Sequence, residues 1–180
     1  STIKPLDFEV SKMRAIKSEE ELKIIKEACR ISSLAHIRAM KSVKPGMYEY
    51  QLEAEYLHEF MSHGARACAY PSIVGGGKNS CVLHYNDNKD VLNDGDLVLV
   101  DAGCELNHYA SDITRTFPVN GKFSKEQREI YEIVLEASKK SIETVISGSN
   151  PLKAHETSVK IISQGLLDLK LLEGDLNEVI

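Results

Sequence analysis

Two aspartates at the ends of adjacent β-prone runs constrain this chain more than any other feature. Residues 97–100 form an apolar run that predicts a buried strand, and Asp101 follows it directly. A second β-prone run covers residues 109–119 and contains Asp112. The connection between the runs is short enough for a hairpin turn. If the turn is centred between positions 106 and 107, Asp101 and Asp112 face each other across the ladder.

Facing carboxylates are unfavourable unless something compensates their charge. Directly opposed side chains have Cβ atoms about 5 Å apart, and like charges there are destabilising. Burial disfavours each charged form further. Either one carboxyl keeps its proton, or a divalent cation binds between them, since such ions prefer oxygen ligands. Alternatively, each aspartate is only a turn or cap residue, or a one-residue bulge moves the pair out of register.

Composition restricts the function classes. The 180 residues are 42% hydrophobic and 27% charged, which is ordinary for one globular domain. The net charge of −5 argues against nucleic-acid binding, and no apolar run is long enough to cross a membrane. The four cysteines form no CxxC pair, so we expect buried free thiols and a cytoplasmic location. The chain starts with Ser1 and shows no signal peptide, so a cut or processed N-terminus is expected.

Two capping boxes predict two helix pairs. A Ser-x-x-Glu box at 18–21 and a Ser-x-x-Gln box at 124–127 each precede an apolar pattern with helical spacing. In both places a Gly-containing break separates a long helix from a second one. The predicted helices are 18–42, 48–62, 124–147 and 150–170, and the segment 1–17 is a lead-in that could include a short strand.

The repeated order of elements suggests a duplicated α+β unit. The first helix pair is followed by the β-region that carries the two aspartates, whereas the chain ends before a second β-region could follow. We therefore expect an incomplete domain whose second β-half is missing. Chance is the alternative, because paired helices with a Pro or Gly break are common.

The histidines and a glycine run give weaker signals. His36, His58 and His63 lie on or beside the first two helices and are expected at the surface or at helix ends. Residues 81–85 predict a short strand, so His84 is either a buried structural histidine or one that faces a substrate. The glycines at 75–77 lack the second half of a phosphate-binding loop and are expected to permit close backbone approach.

These motifs together resemble a known family. The chain has LVDAG at 99–103, SDITRTFPVNGKFS at 111–124 and LHY at 83–85. It resembles aminopeptidase P, the Xaa-Pro aminopeptidases of the creatinase, prolidase and methionine aminopeptidase superfamily, over nearly its whole length. The resemblance implies an α+β pita-bread fold, with two helix pairs around an antiparallel β-region. Residues 1–180 would then be the N-terminal two-thirds of the catalytic domain, and residues 1–17 would lead in from a missing N-terminal domain.

The resemblance also implies roles for individual residues. Asp101 would chelate one of two divalent metal ions, and Asp112 would bridge both; manganese is usual in this branch. His84 would contact the substrate near the scissile bond, and Tyr70 would lie beside the metals. A metal-bridging water or hydroxide would attack the carbonyl of a peptide that has proline in second position.

Part of the family pattern is absent from these residues. The family's remaining ligands, a histidine and two glutamates, would follow Ile180, so the chain is expected to be inactive alone. A homo-oligomer, dimer or tetramer, is expected for the full-length protein. Two alternatives stay open: a prolidase that cleaves Xaa-Pro dipeptides, and a pita-bread module that binds peptides without catalysis.

Overall fold

Paired helices and antiparallel strands alternate along the chain in the computed structural model, which describes residues 6–180. The chain forms two compact units that divide after Lys122. The helices are α1 (Asp7–Ala15), α2 (Glu19–Ser42), α3 (Glu49–Ser62), α4 (Lys125–Thr144), α5 (Leu152–Asp168) and α6 (Leu176–Val179). The strands are β1 (Ala67–Cys68), β2 (Ile73–Gly76), β3 (Leu97–Ala102), β4 (Cys104–Leu106), β5 (Tyr109–Ala110) and β6 (Ile113–Pro118).

The first helix pair forms as its capping pattern predicts. The Ser18 hydroxyl accepts from the Glu21 amide, and the Glu21 carboxylate accepts from the Ser18 amide at 2.6 Å, so the box satisfies donors at both positions. Helix α2 ends at Ser42, as expected. After α3 the chain turns at Gly64, whose φ of +85° suits glycine.

Two three-stranded antiparallel sheets pack on this helix pair. Their orders are β2-β3-β6 and β1-β4-β5. Strand β3 alternates, with Val98, Val100 and Ala102 fully buried and the residues between them only partly buried. The buried face meets helix side chains that include Tyr56 and Phe60. The predicted fully buried strand is therefore half-buried, and Asp101 lies on its less buried face.

The hairpin register differs from the predicted one. Asp101 pairs with Thr114, and the turn is formed by Asn107 and His108, both with positive φ. Positive φ at both central residues is typical of a type I′ turn, which favours Asn at the first position. The turn centre is thus one residue further along than predicted, and Asp112 is diagonal to Asp101 instead of opposite it.

Two other local predictions were wrong. Residues 77–81 form a 3-10 helix followed by turns, so the strand expected at 81–85 does not exist. The lead-in contains the helix α1, and any short strand in it would have to lie in residues 1–5, which are outside the described part of the chain. The thiols are free, but Cys29 and Cys81 are exposed and only Cys104 is buried.

The second unit contains the other predicted helix pair. Its capping box at Ser124 and Gln127 is formed, although α4 ends at Thr144, slightly earlier than expected. The Asn150 side chain accepts from the Leu152 amide at the start of α5, as its sequence position predicts. Residues 123–180 contain helices and no strand. The chain has an α+β fold, and none of the helices in the described residues is long and apolar enough to cross a membrane.

Candidate metal centre

One cavity brings together all four residues that the sequence singled out. Tyr70, His84, Asp101 and Asp112 line a space of about 300 Å³ in the first unit. The other lining residues are Pro71, Ile73 and Asn86. The cavity therefore combines two carboxylates, an imidazole and a phenol with a small apolar wall, a combination common in small-molecule and peptide sites.

The Tyr70 hydroxyl connects the two carboxylates. It lies 2.5 Å from Oδ1 of Asp101 and 3.0 Å from Oδ1 of Asp112. Burial raises the pKa of the Tyr70 phenol, and its hydrogen bond to Asp101 raises that pKa further. The phenol is consequently the proton donor, and both carboxylates are directed at a common point.

A close approach of two backbone segments explains how diagonal aspartates meet. Gly103 interrupts the hairpin between β3 and β4, and a Cβ at this position would overlap the carbonyl oxygen of Ser111. The Gly103 carbonyl oxygen accepts from the Ala69 amide at 2.9 Å, which places the segment carrying Tyr70 beside the interruption. Diagonal positions on one face remain within reach of one long side chain, and here the Tyr70 side chain contacts both aspartates.

Helix α2 holds both chain neighbours of Asp112. The hydroxyls of Ser32 and Ser111 lie 2.7 Å apart and are buried. Nε2 of His36 lies 2.9 Å from the carbonyl oxygen of Ile113, and its Nδ1 lies 2.9 Å from the Tyr56 hydroxyl. His36 is 3% exposed, so the expected surface position was wrong. The sequence signal for its burial was the spacing of four from Ser32, which puts His36 on the small-residue face of α2.

His84 lies in a turn at the edge of the cavity. Its side chain is exposed and its φ is +55°, so the interpretation as a buried structural histidine was wrong. The same turn segment is anchored at Asn88, which accepts from the Val74 amide and donates to the Ser72 carbonyl oxygen. The hydrogen bonds of the Asn88 side chain thus fix the chain on the C-terminal side of His84, which lines the cavity.

The two carboxylates are the groups of this cavity that could serve as metal ligands. Asp101 is partly buried and Asp112 is exposed, so an incoming ion can reach both. Oxygen donors of this kind suit hard divalent ions such as Mn²⁺. Within residues 6–180 there is no group of three or more His, Cys, Asp or Glu side chains that could hold a metal ion. The described residues could therefore supply two donor residues, Asp101 and Asp112, to a metal site.

The chain is similar in sequence and in fold to known aminopeptidases. The Xaa-Pro aminopeptidases of Haemophilus influenzae and Escherichia coli are 52% and 51% identical to the chain, each over 95% of it. The solved structure of Pseudomonas aeruginosa aminopeptidase PepP superposes with a TM-score of 0.95 at 50% identity, over 97% of the chain and 39% of its own length. A zinc-substituted E. coli aminopeptidase P in complex with product gives 0.91 at 51% identity, over 93% of the chain and 38% of its own length.

These matches cover nearly all of this chain but less than half of each relative. The chain spans about 40% of the length of the H. influenzae relative and 39% of the E. coli one. The family model for metallopeptidase family M24 matches residues 23–175, which include both helix pairs except the first turn of α2, both sheets and the cavity. The chain therefore belongs to metallopeptidase family M24.

Proposed function

We propose that this chain is part of a metal-dependent aminopeptidase that hydrolyses the N-terminal Xaa-Pro bond of peptides. The observation that carries the proposal is the Tyr70 hydroxyl within hydrogen-bond distance of both Asp101 and Asp112 in one cavity. Two carboxylates gathered in this way need a counter-ion once they are both ionised. Similarity to proteins named Xaa-Pro aminopeptidase over 95% of the chain supports the substrate class.

The proposed metal site uses the two aspartates in different ways. Asp101 would be a ligand of one divalent ion and Asp112 a ligand shared by two, and manganese is the proposed metal. The remaining donors, a histidine and two glutamates, lie after Ile180. When bound, the ions supply Lewis acidity at the scissile carbonyl and lower the pKa of the attacking water.

The other cavity residues act on the peptide and on the aspartates. His84, exposed at the edge of the cavity, contacts the substrate beside the scissile bond. Tyr70 keeps the two carboxylates directed at one point through its hydroxyl. Pro71 and Ile73 provide an apolar surface for the peptide. Preorganised groups of this kind reduce the entropy lost when the substrate is oriented.

The extent of the domain belongs to the same proposal. Residues 1–180 form the N-terminal two-thirds of a pita-bread catalytic domain, and residues 1–17 lead in from a preceding domain. The 180-residue chain is inactive alone because it supplies only two of the five proposed metal donors. The cytoplasmic location and the homo-oligomeric state of the complete protein stay predictions.

Peptide hydrolysis by the complete protein tests the activity. Ala-Pro-Ala, Ala-Pro and Ala-Ala-Ala are offered with Mn²⁺ to the complete protein and to the 180-residue chain. We expect release of alanine from Ala-Pro-Ala by the complete protein only. Cleavage restricted to Ala-Pro would identify a prolidase instead, and cleavage by the 180-residue chain would contradict the predicted incompleteness.

Metal binding provides the second measurement. Calorimetric titration of Mn²⁺ into the complete protein is compared with Asp112→Asn and with Asp94→Asn, whose carboxylate accepts from Asn120 at the surface. We expect Asp112→Asn to abolish binding and Asp94→Asn to leave it unchanged. If the unmodified complete protein binds no metal, the aspartates are structural and the peptide-binding module is the better interpretation.

A further inference from the structure

A single buried carboxylate organises the segment that carries His84. Glu49 is the first residue of α3 and is 0% exposed. It accepts hydrogen bonds from the amides of Gly76 and Asp90, at 2.8 and 3.0 Å. It also accepts from Nδ2 of Asn79 and from the hydroxyl of Tyr85, at 3.0 and 2.7 Å. Four donors at the N-terminus of a helix compensate the burial of this group.

These four bonds are distributed over the whole segment 76–90. Gly76 and Asp90 are its two ends, so one side chain closes the segment as a loop. Tyr85 lies inside the loop and follows His84 directly. Its hydroxyl donates to Glu49 and accepts from Nδ2 of Asn79 at 3.0 Å. Burial, together with the hydrogen bond to Glu49, raises the pKa of Tyr85 to about 12, so the hydroxyl remains a donor.

Apolar packing contributes little at the tip of this loop. Val82 and Leu83 are 53% and 86% exposed, and the His84 side chain is exposed as well. His84 also has a φ of +55°, a conformation that non-glycine residues rarely adopt without support from their surroundings. The polar anchors on its C-terminal side, Tyr85 and Asn88, are therefore what holds it there.

We propose that Glu49 and Tyr85 are positioning residues that hold His84 over the cavity of the aspartates. The proposal rests on the proposed peptidase function, because it assigns His84 a contact with the substrate. Glu49 fixes the loop at both ends, and the Tyr85 hydroxyl fixes the backbone next to the imidazole. Loss of this hydroxyl displaces the imidazole without touching Asp101 or Asp112.

A double-mutant cycle between Tyr85 and His84 tests the coupling. Tyr85→Phe removes one hydroxyl and keeps the ring, and His84→Ala removes the group to be positioned. In the complete protein with Mn²⁺, we expect Tyr85→Phe to lower kcat/KM for Ala-Pro-Ala about tenfold. In the His84→Ala background the same change is expected to alter kcat/KM less than about twofold, since coupled residues are not additive.

Control variants separate positioning from general stability. Tyr109→Phe removes a phenol hydroxyl that donates to Glu21 at 2.6 Å, outside this loop, and is expected to leave kcat/KM unchanged. Asn79→Ala removes an amide that donates to the Tyr85 hydroxyl, to Glu49 and to Asp90, and it provides a second route to loosen the loop if Tyr85→Phe folds poorly. The loss of kcat/KM that Asn79→Ala causes is also expected to vanish in the His84→Ala background. The calorimetric affinity for Mn²⁺ is expected to stay within about twofold in every variant of this set.

Hydrogen exchange of the metal-free protein gives a readout that is independent of activity. We expect the amides of segment 76–90 to exchange faster in Tyr85→Phe than in the unmodified protein or in Tyr109→Phe. Additive effects of Tyr85→Phe and His84→Ala, or unchanged exchange in the loop, would overturn the positioning role. Absence of Ala-Pro-Ala cleavage by the unmodified protein would instead overturn the proposed function, and the exchange measurement would still decide the loop contact.

Discussion

The hydroxyl of Ser32 on α2 lies 2.7 Å from the hydroxyl of Ser111, the residue that directly precedes Asp112. Both hydroxyls also lie near the amide of Cys104, at 3.1 and 3.0 Å. The Cys104 amide, at the interruption of the hairpin, therefore donates to side-chain hydroxyls, and one of these belongs to Ser32 on α2. Because buried polar groups need such partners, α2 fixes the place where Asp112 leaves the ladder.

Replacement of Ser32 by alanine tests this contact. The change leaves the Ser111 hydroxyl and the Cys104 amide with one partner fewer in a buried place, so we expect a loss of about 1–2 kcal/mol in the free energy of unfolding. Ser33→Ala is the matched control, because the exposed Ser33 hydroxyl bonds only within its own helix, to the Cys29 carbonyl oxygen. Urea unfolding of the metal-free protein compares the two. Equal losses would show that Ser32 does not support the hairpin.

The second α2 contact predicts a pH dependence of stability. Burial lowers the pKa of His36 from 6.5 to about 4; the nearby positive charge of Arg115 lowers it too, whereas the bond to the Ile113 carbonyl oxygen and the charge of Asp101 oppose the shift. Between these two pKa values the unfolded chain binds a proton that the folded protein does not. Stability is therefore full above about pH 6.5 and is lost as the pH falls towards 4, by about 3 kcal/mol at 1.36 kcal/mol per pKa unit.

A variant without this titration isolates the contribution of His36. His36→Gln has no titrating group at this position, so its free energy of unfolding is expected to fall less between pH 6.5 and 4 than that of the unmodified protein. Urea unfolding of the metal-free protein at several pH values gives both curves. Parallel curves would mean that other groups cause the acid sensitivity.

The site was predictable from the sequence because its residues lie next to strong local signals. Asp101 ends an apolar strand and Asp112 follows a turn, so the pair could be placed in one hairpin. Their register was not predictable from apolar alternation, because the hairpin is interrupted at Gly103 and its turn is Asn-His, not the more recognisable Asn-Gly. Tyr70 lies far from both aspartates in sequence, and its hydroxyl links the two carboxylates that the strand register leaves diagonal.

The turn that caused the register error also yields a stability prediction. His108 has a φ of +69° and a side chain that is 97% exposed, so it has an unfavourable backbone conformation and little packing. Glycine adopts positive φ without a steric cost. We expect His108→Gly to raise the free energy of unfolding by about 0.5–1 kcal/mol. A destabilised variant would show that the imidazole makes a contact that outweighs the backbone strain.

The loop 76–90 was mispredicted for a different physical reason. Its short apolar run, Cys81 to Leu83, has the composition of a strand, yet its conformation is set by hydrogen bonds to the distant Glu49. No local pattern reports a contact between residues that lie 27 and 41 positions apart. The expected close backbone approach at the glycines was right, since a Cβ at Gly75 would lie 2.9 Å from the Asn79 backbone.

Among the glycines, replacement of Gly103 is expected to cause the largest loss of stability. It is glycine because the Ser111 backbone occupies the place of a side chain, whereas several other glycines are required by positive φ. Gly103→Ala must separate the two segments that carry Asp101 and Asp112, so we expect a loss of at least about 3 kcal/mol in the free energy of unfolding. Gly121→Ala, with a φ of +77° and open space around it, is expected to lose only about 1 kcal/mol from backbone strain. If thermal unfolding gave equal losses, the close contact at Ser111 would relax freely, and the hairpin interruption would not be what brings the two aspartates together.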